Sequence, residues 1–338
     1  MKTSLKNIAE SLKLSKTTVS WVLAGKGDEK GISLATQEKV FSYAKSLNYQ
    51  PNLLARSLNT GISGTIGLII PDITDSFYSK VACSIEREAE ERGYSLMIGN
   101  SESEIKRENN LIRLFKAKQV DGLIIAPTKI SKIEIQNLVD ESFPLVLFDR
   151  YFPEMKTSYV IIDNEECSYK LVHKMIQNGA RKIAIITTNA HLRTMNMRRE
   201  GYSRALLEEN IPIDADLYGE VPFVDYEKNI NKTLDRIFER IPDVDGFFFT
   251  THILALEAFR YFYGKGIKIN NGYELACIHS VSAMRVLAPK MMIAQMPIDK
   301  IGKDSIEVLL KSIDHHLNKP EEKEEAETII LNCEISTP

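Results

Sequence analysis

Apolar positions recur at helical spacing in the first 47 residues and predict three short helices. In SLKNIAESLKL the apolar side chains fall on one helical face, at Leu5, Ile8, Ala9 and Leu12. A second helix follows a tight connection at Ser15 and runs from Lys16 to Leu23. A third begins after a cap at Ser33 and is expected to direct four side chains inward, those of Val40, Phe41, Ala44 and Leu47. Two helices joined by a tight turn, with a third packed across them, form the helix-turn-helix plan.

The second predicted helix carries the only tryptophan of the chain on its polar side. Its buried stripe is formed by Leu14, Val19, Val22 and Leu23. Off that stripe lie Lys16, Thr17, Ser20 and Trp21. A large aromatic side chain on an exposed face, beside a lysine and hydroxyls, needs a partner. The alternative is that Trp21 folds back and covers the helix pair.

Two polar segments flank the third helix. The first, AGKGDEKGIS, has the spacing G-x-G-x-x-x-G, but no strand precedes it and no phosphate-loop lysine pattern follows, so a surface loop is expected. The second, NYQPNLLARSLNTGISG, contains Pro51, which ends the preceding helix, and Asn52, which can cap a short helix reaching Leu58. A helix of about two turns is unstable alone in water. We expect it to form only against a partner.

From Thr65 onward, apolar runs of strand length alternate with amphipathic helices, as in a buried parallel sheet. The runs include TIGLIIPDI, YSLMIGNS, DGLIIAPT and PLVLFDR. After SYVIIDN the pattern restarts with RKIAIITT, DGFFFTT, YELACIHS and MMIAQMP, and TIILNCEI reads as one closing strand. Two such α/β units enclose a cleft in which ligands bind at the carboxyl ends of the strands.

The predicted division is a helical head at residues 1–50, a hinge helix and linker at 51–63, and a body at 64–338. Within the body we expect a first subdomain at 64–162 and 292–322. The second is expected at 163–291 and 323–338. The fold class is therefore an all-α helix-turn-helix domain followed by a two-subdomain α/β body with parallel sheets.

Composition narrows the class of protein. The 338 residues are 43% hydrophobic and 26% charged, which fits a globular protein with several cores. No apolar run has the length of a signal peptide core or of a membrane span, so a cytoplasmic location without membrane contact is expected. Four separated cysteines without a C-x-x-C pair predict reduced thiols rather than disulfides or a zinc site. Because no G-x-S-x-G, H-E-x-x-H or dinucleotide fingerprint is present, we expect neither an enzyme nor a cofactor.

The charge is distributed asymmetrically. The net charge is −3, but residues 1–60 hold nine basic and four acidic side chains and carry +5, which leaves −8 on the remainder. A basic head on an acidic body suggests that the head meets a polyanion while the body does not. A freely diffusing solute-binding protein would share the body but would lack such a head.

Several segments resemble the LacI/GalR family of bacterial transcription repressors over essentially the whole chain. The most specific are SLKNIAESLKLSKTTVSWVL, NYQPNLLARSLNTG, TIGLIIPDITDSFY, VDGLIIAP, LVLFDRYFP and RREGYSRAL. The resemblance implies a homodimer whose heads bind the two halves of a near-palindromic double-stranded operator. It also implies a periplasmic-binding-protein-like body that binds a small-molecule effector in its cleft.

The resemblance assigns roles in the head. Lys16 and Thr17 match positions that choose bases, and Thr18 and Ser20 match phosphate contacts. At Trp21 the family usually has an arginine that contacts guanine; an indole has no donor fork for guanine, but it can contact a thymine methyl group or a sugar-phosphate edge. In the hinge, Ala55 and Leu58 match residues that enter the minor groove. The full predicted DNA-binding set is Lys16, Thr17, Thr18, Ser20, Trp21, Asn52, Ala55, Arg56 and Leu58, and the alternatives are a solvated helix face and an ordinary linker.

The loop at residues 24–32 is about three residues longer than is usual in the family, and the sequence alone assigns it no role. The last strand is not followed by a heptad helix of the kind that joins dimers into tetramers, so a dimer is expected. Three responses to the effector stay open at this point: it releases the protein from the operator, it strengthens operator binding, or it supports activation of transcription.

Family matching also points to residues of the cleft. Phe77, Asp149 and Arg198 match positions that in relatives stack on a ring, accept from hydroxyls, and donate to sugar oxygens or to a carboxylate. His252 and His279 occupy positions that are acidic in relatives, and Arg193 and Thr194 lie close to Arg198 in sequence. A cleft poor in carboxylates and rich in arginine and histidine favours a sugar acid or a phosphosugar over a neutral sugar.

Plainer readings of the cleft remain. Phe77 could be a core residue and Asp149 a turn residue. The cleft could also have lost sugar binding and respond to a protein partner instead. His191, His252 and His279 show no ligand spacing, so no metal site is expected.

Overall fold

The computed structural model describes residues 4–49, 61–128, 132–188, 193–222, 226–269, 272–319 and 324–336. The chain divides into two compact units, Met1–Ser63, which includes the head and the predicted hinge, and Gly64–Pro338, which is the body. The four hinge residues of the predicted DNA-binding set lie outside the described residues, namely Asn52, Ala55, Arg56 and Leu58. His191 also lies outside them.

The head contains the three predicted helices, α1 (Leu5–Leu12), α2 (Lys16–Leu23) and α3 (Leu34–Ser46). Each begins after a serine whose hydroxyl accepts a backbone N–H three residues on, and these serines are Ser4, Ser15 and Ser33. The core between the helices is formed by Ile8, Ala9, Val19, Val22, Val40 and Ala44. The predicted helix-turn-helix plan is therefore confirmed.

Two side chains expected to point inward from α3 do not. Phe41 is 47% exposed and Leu47 is 37% exposed. Phe41 follows the fully buried Val40, and one residue turns the side chain by about 100° around a helix. Leu47 lies past the last helical residue, as the C-cap, so the helical period no longer determines its direction.

The first sheet of the body has the strand order β11-β5-β4-β3-β1-β2, and its paired strands are parallel. Its strands are β1 (Thr65–Ile70), β2 (Ser95–Asn100), β3 (Gly122–Ile125), β4 (Leu145–Phe148), β5 (Ser158–Ile162) and β11 (Thr328–Leu331). The helices of this subdomain are α4 (Ser76–Glu91), α5 (Ile105–Ala117), α6 (Ile133–Asp140) and α12 (Ile298–Asn318). Because helices cover both faces of such a sheet, its central strands are uninterrupted apolar runs.

The second sheet has the order β12-β10-β9-β8-β6-β7, and only its β10–β12 pair is antiparallel among the strands described. Its strands are β6 (Ile183–Thr188), β7 (Tyr218–Val221), β8 (Gly246–Phe249), β9 (Glu274–Ile278), β10 (Met292–Gln295) and β12 (Glu334–Ser336). The accompanying helices are α7 (Asn164–Gln177), α8 (Arg193–Glu208), α9 (Tyr226–Arg240), α10 (His252–Gly264) and α11 (Ser282–Leu287), with a 3-10 turn at Ala215–Leu217.

Strand pairing corrects the expected subdomain boundaries. Strand β10 belongs to the second sheet, although residues 292–322 were expected in the first subdomain. Strand β11 belongs to the first sheet, although residues 323–338 were expected in the second. The predicted single strand TIILNCEI is thus two strands, β11 and β12, which pair in different sheets. The chain consequently passes between the subdomains three times, after β5, after β10 and after β11.

Helices α7 and α8 pack closely where Gly201 of α8 meets α7. A Cβ at Gly201 would overlap the backbone carbonyl oxygen of Glu165. The absent side chain therefore allows the contact that holds α8 in place. Across the described ranges, no helix is both long enough and apolar enough to cross a membrane.

Candidate functional site

The predicted base-reading residues lie on α2. Lys16, Thr17 and Ser20 are exposed, whereas Val19 and Val22 on the opposite side are fully buried. Thr18 is partly buried, and its hydroxyl lies 2.8 Å from the hydroxyl of the N-cap Ser15. The helix therefore presents three polar side chains outward and uses Thr18 in its own cap.

Trp21 lies outside the apolar core of the head and is 38% exposed. The Nζ atom of Lys30 lies 5.5 Å from the centre of the Trp21 ring, within the range of a cation–π contact. The indole therefore contacts the loop that follows α2 and does not cover the core between the helices.

The cleft of the body is lined by residues that follow the carboxyl ends of strands in both sheets. Asp75 and Phe77 come after β1, and Asp149 comes directly after β4. From the second subdomain, His252 comes after β8 and His279 comes directly after β9. Since the carboxyl ends of parallel strands share one edge of a sheet, the two sheets bring these side chains to a common cleft.

A series of aromatic rings connects the two subdomains. The Phe77 ring lies 5.6 Å from the His279 ring, and the His279 ring lies 4.9 Å from the His252 ring, both in edge-to-face geometry. His252 Nε2 then lies 3.4 Å from Asp75 Oδ1. The same Asp75 oxygen accepts the backbone N–H of Phe77 and so caps α4. One carboxylate thus begins a helix in the first subdomain and contacts an imidazole of the second.

Burial determines the charge of His279. The residue is 5% exposed, and neither ring nitrogen has a hydrogen-bond partner among the described residues. Burial, followed by the nearby charges of His252 and Lys80, lowers the pKa of His279 to about 3. Burial raises the pKa of Asp75, but the hydrogen bond and charge of His252 bring it below its usual value. His279 is therefore a neutral ring near pH 7, able to donate one hydrogen bond and accept another.

Asp149 is held by three neighbours. Its Oδ2 accepts a 2.7 Å hydrogen bond from the Tyr78 hydroxyl, and Arg150 Nε lies 3.5 Å from the same oxygen. Its backbone carbonyl accepts the hydroxyl of Thr194 at 3.1 Å. Burial raises the pKa of Tyr78 well above its usual value, so the phenol stays a hydrogen-bond donor. Asp149 also has a left-handed backbone, with φ of 60°, which turns its side chain sharply out of β4.

Arg198 of α8 is 4% exposed and is held by neutral groups. Its Nε donates to Asn164 Oδ1 at 2.8 Å, and its Nη1 donates to the Thr250 carbonyl oxygen at 2.5 Å. Within the described residues, no carboxylate oxygen lies within ion-pair distance of the guanidinium, and Nη2 donates no hydrogen bond. Burial lowers the pKa of Arg198. The cleft thus contains a buried cation that the protein does not neutralise by direct pairing.

Arg193 differs from the other predicted effector residues. Its Nη1 forms an ion pair with Glu200 at 2.8 Å, and its side chain is 40% exposed. It lines a cavity of about 130 Å³ together with Thr194, Arg150 and Lys132. The structure therefore links Phe77, Asp149, Thr194, His252 and His279 by contacts, places Arg198 next to Thr250 beside them, and leaves Arg193 at the edge. The part of the chain that is described holds no cluster of side chains suited to a metal ion.

Five residues of the cleft were not identified from the sequence: Asp75, Tyr78, Arg150, Asn164 and Thr250. The sequence did carry a signal for four of them, because Asp75, Arg150, Asn164 and Thr250 each lie within five residues after the carboxyl end of a strand. Asp75 also stands at a helix N-cap position. The cleft therefore holds two carboxylates, Asp75 and Asp149. It contains more acidic groups than the comparison of single positions with the family indicated.

Comparison with known proteins agrees with this architecture. Residues 4–52 match the family described as "Bacterial regulatory proteins, lacI family", and residues 63–336 match "Periplasmic binding proteins and sugar binding domain of LacI family". A ribose operon repressor of Halalkalibacterium halodurans is 29% identical over 315 residues, covering 92% of this chain and 91% of the relative. A transcriptional repressor PurR of Aliivibrio salmonicida is 26% identical, covering 93% of each chain.

Solved structures share the fold. The lac repressor dimer bound to operator and the anti-inducer ONPF has a TM-score of 0.81 at 19% identity, covering 100% of this chain and 99% of that one. The regulator CelR in complex with cellobiose has a TM-score of 0.72 at 22% identity, covering 99% and 98%. The chain thus belongs to the LacI family, and it is a DNA-binding transcriptional regulator with an effector-binding body, not an enzyme.

Proposed function

We propose that this regulator is a repressor that binds a near-palindromic operator as a homodimer, and that an anionic sugar derivative in the cleft controls it. The effector class is a sugar acid or a phosphosugar. The observation that supports this class is the buried guanidinium of Arg198, which has no carboxylate partner among the described residues.

A buried cation without a direct ion pair is costly, because its hydration is lost and neutral dipoles replace only part of it. A carboxylate or phosphate next to Nη2 would supply that ion pair through a charge-assisted hydrogen bond. The charge of Asp149 does act on the guanidinium, but Asp149 forms no ion pair with it, because its Oδ2 contacts Tyr78 and Arg150. Asp75 contacts His252 instead.

The other groups of the cleft suit the remainder of a sugar. The Phe77 ring offers an apolar surface for the sugar ring, and the neutral His279 ring can exchange hydrogen bonds with hydroxyls. Among structures with this fold, Cra of Pseudomonas putida is in complex with fructose 1-phosphate, whereas CelR is in complex with cellobiose. The fold alone therefore accommodates charged and neutral effectors, and the preference proposed here rests on Arg198.

Isothermal titration calorimetry with the full chain tests the effector class. The ligands are a set of neutral sugars, the corresponding sugar acids and the corresponding sugar phosphates. We expect the tightest ligand to be an acid or a phosphate. The substitution Arg198→Gln removes the charged hydrogen bond to this ligand and should weaken its binding about 10- to 100-fold. Arg198→Lys keeps the charge and should weaken binding less.

The matched control is Arg236→Gln. Arg236 also donates to backbone carbonyls, those of Asp216 and Tyr218, but it belongs to α9 and not to the cleft. It should leave ligand affinity unchanged. Tight binding of neutral sugars without binding of acids or phosphates would reject the anionic effector. Binding of no sugar in any class would favour the alternative in which the cleft responds to a protein partner.

Selection of DNA from a random duplex pool tests the operator. A two-fold symmetric preferred site with a steep salt dependence is expected for a dimer with two basic heads. A preferred site without two-fold symmetry would reject the homodimeric mode of binding. Adding the best cleft ligand to the selected complex then shows whether it releases or strengthens the operator contact.

A further inference from the structure

The extended loop after α2 is a closed, hydrogen-bonded structure. We call residues 24–32 the reading loop. Within it, the backbone N–H of Lys30 donates to the Lys26 carbonyl at 3.2 Å, and that of Ile32 donates to the Gly27 carbonyl at 2.9 Å. The N–H of Lys26 itself donates to the Trp21 carbonyl at 2.9 Å. The loop therefore continues directly from the last turn of α2, with its own internal hydrogen bonds.

Helix α3 fixes the other side of the reading loop. The side-chain amide of Gln37 donates to Asp28 Oδ1 and to the Ile32 carbonyl, both at 2.8 Å. Gly27 lies against this amide, and a Cβ at Gly27 would overlap the Gln37 side chain. These contacts hold the Asp28 carboxylate on the Gln37 amide, and they fix the backbone that carries Lys30.

The fixed loop places Lys30 over the Trp21 ring. Its ammonium lies 5.5 Å from the ring centre, and the indole is only 38% exposed although it is outside the apolar core. The cation therefore limits the positions that the ring can adopt and places a positive charge beside it.

We propose that the reading loop is part of the operator-binding surface and that Lys30 is a specificity-determining positioning residue. Lys30 orients the Trp21 indole against the 5-methyl group of a thymine, and its ammonium contacts a phosphate next to that thymine. The chemistry fits, since apolar side chains read the thymine methyl group in the major groove, and a lysine ammonium pairs with the backbone. The proposal rests on the DNA-binding function of the head, and it concerns how that function selects sequence.

The test uses the full chain and the operator selected from the random pool. Each thymine of one half-site is replaced by deoxyuridine, which removes only the 5-methyl group. We expect one position per half-site at which wild-type protein prefers thymine, and Trp21→Ala should abolish that preference. Lys30→Met, which keeps an unbranched side chain only one atom shorter, should reduce it by about threefold, in line with a cation–π contact at an exposed site.

The charge of Lys30 has a separate readout. The slope of log affinity against log salt should become shallower by about one per half-site in Lys30→Met, because one phosphate contact is lost. Lys30→Arg should retain both the slope and the thymine preference. The matched control is Lys26→Met, which removes the same charge from the same loop. It should leave the preference for thymine over deoxyuridine unchanged.

Three results would overturn the proposal: a thymine preference in Lys30→Met equal to that of wild type, an equal loss in Lys26→Met, or a preference that survives Trp21→Ala. Both lysines are exposed, so the variants should fold, which the far-ultraviolet circular dichroism spectrum verifies. Failure to select any DNA sequence would instead reject the proposed operator binding, and this inference would fall with it.

Discussion

Replacing His279 by asparagine should remove much of the acid sensitivity of the body. The ring is neutral in the folded protein because burial lowers its pKa to about 3, whereas the unfolded chain takes up a proton near the usual histidine pKa of 6.5. Above pH 6.5 both states are unprotonated, and the stability due to the neutral ring is fully present. As the pH falls from 6.5 towards 3, only the unfolded state binds the proton, so stability is lost progressively.

The size of the effect follows from these two pKa values. At ~1.4 kcal/mol for each pH unit below 6.5, His279 should lower the free energy of unfolding by ~2 kcal/mol between pH 7.5 and pH 5. Asp75 does not contribute in this range. Its pKa is lowered from 3.8, so the stability that it provides is present above pH 3.8 and is lost only as the pH falls through the lower, folded value.

Urea unfolding of wild type and His279→Asn at pH 7.5 and pH 5 provides the measurement. Asparagine tolerates the left-handed backbone of this position, where φ is 65°, so the substitution removes the ring without forcing a change in the backbone. We expect wild type to lose ~2 kcal/mol more than the variant on acidification. Similar m-values in all four transitions are the control that the same unit unfolds. An equal loss in both proteins would refute the assignment of a buried, neutral His279.

Three further outcomes are expected. Gly201→Ala should destabilise the body by at least ~2 kcal/mol, because its Cβ would overlap the Glu165 carbonyl, and should lower Tm by several degrees. The control Gly264→Ala, where a Cβ meets nothing within 4 Å, should change stability by less than ~1 kcal/mol; equal effects would contradict the close packing of α7 and α8. Tyr78→Phe should cost ~1–3 kcal/mol in urea unfolding, because Asp149 loses its 2.7 Å donor, and a loss below ~0.5 kcal/mol would show that the bond is not needed. Sedimentation velocity should give a dimer, and a dominant tetramer would disprove the expected assembly.

The sequence predicted those strands whose burial leaves a simple pattern. Strand β8 is covered on both faces and has the sequence GFFF, an apolar run that is typical of a buried strand. Strand β7, at the edge of the second sheet, reads as YGEV and offers no such run. Helix α9 was not predicted, although its buried residues Ile230, Leu234 and Ile237 recur at helical spacing and indicate a helix. The division of TIILNCEI between two sheets could not be predicted, because strand partners are chosen by tertiary contacts.

The cleft shows a similar limit. Arg193 and Arg198 are close in sequence, but five residues turn a helix by about 140°, so the two side chains leave α8 in different directions. Proximity in sequence therefore grouped two arginines that the helix separates. The presence of an imidazole at His279 was evident from the sequence, but its charge was not, because burial sets the pKa and burial depends on the whole fold.

The three passages between the subdomains also constrain the order in which the protein can form during synthesis. The head consists of three helices within residues 4–49 and can fold as soon as they emerge. Both sheets of the body stay incomplete until much later. The first sheet needs β11 to pair with β5 across more than 160 residues, and the second needs β12 to pair with β10. A nascent chain would thus display the three helices of the DNA-binding domain before its sensor exists, and the short segment that contains β11 and β12 would complete both sheets together.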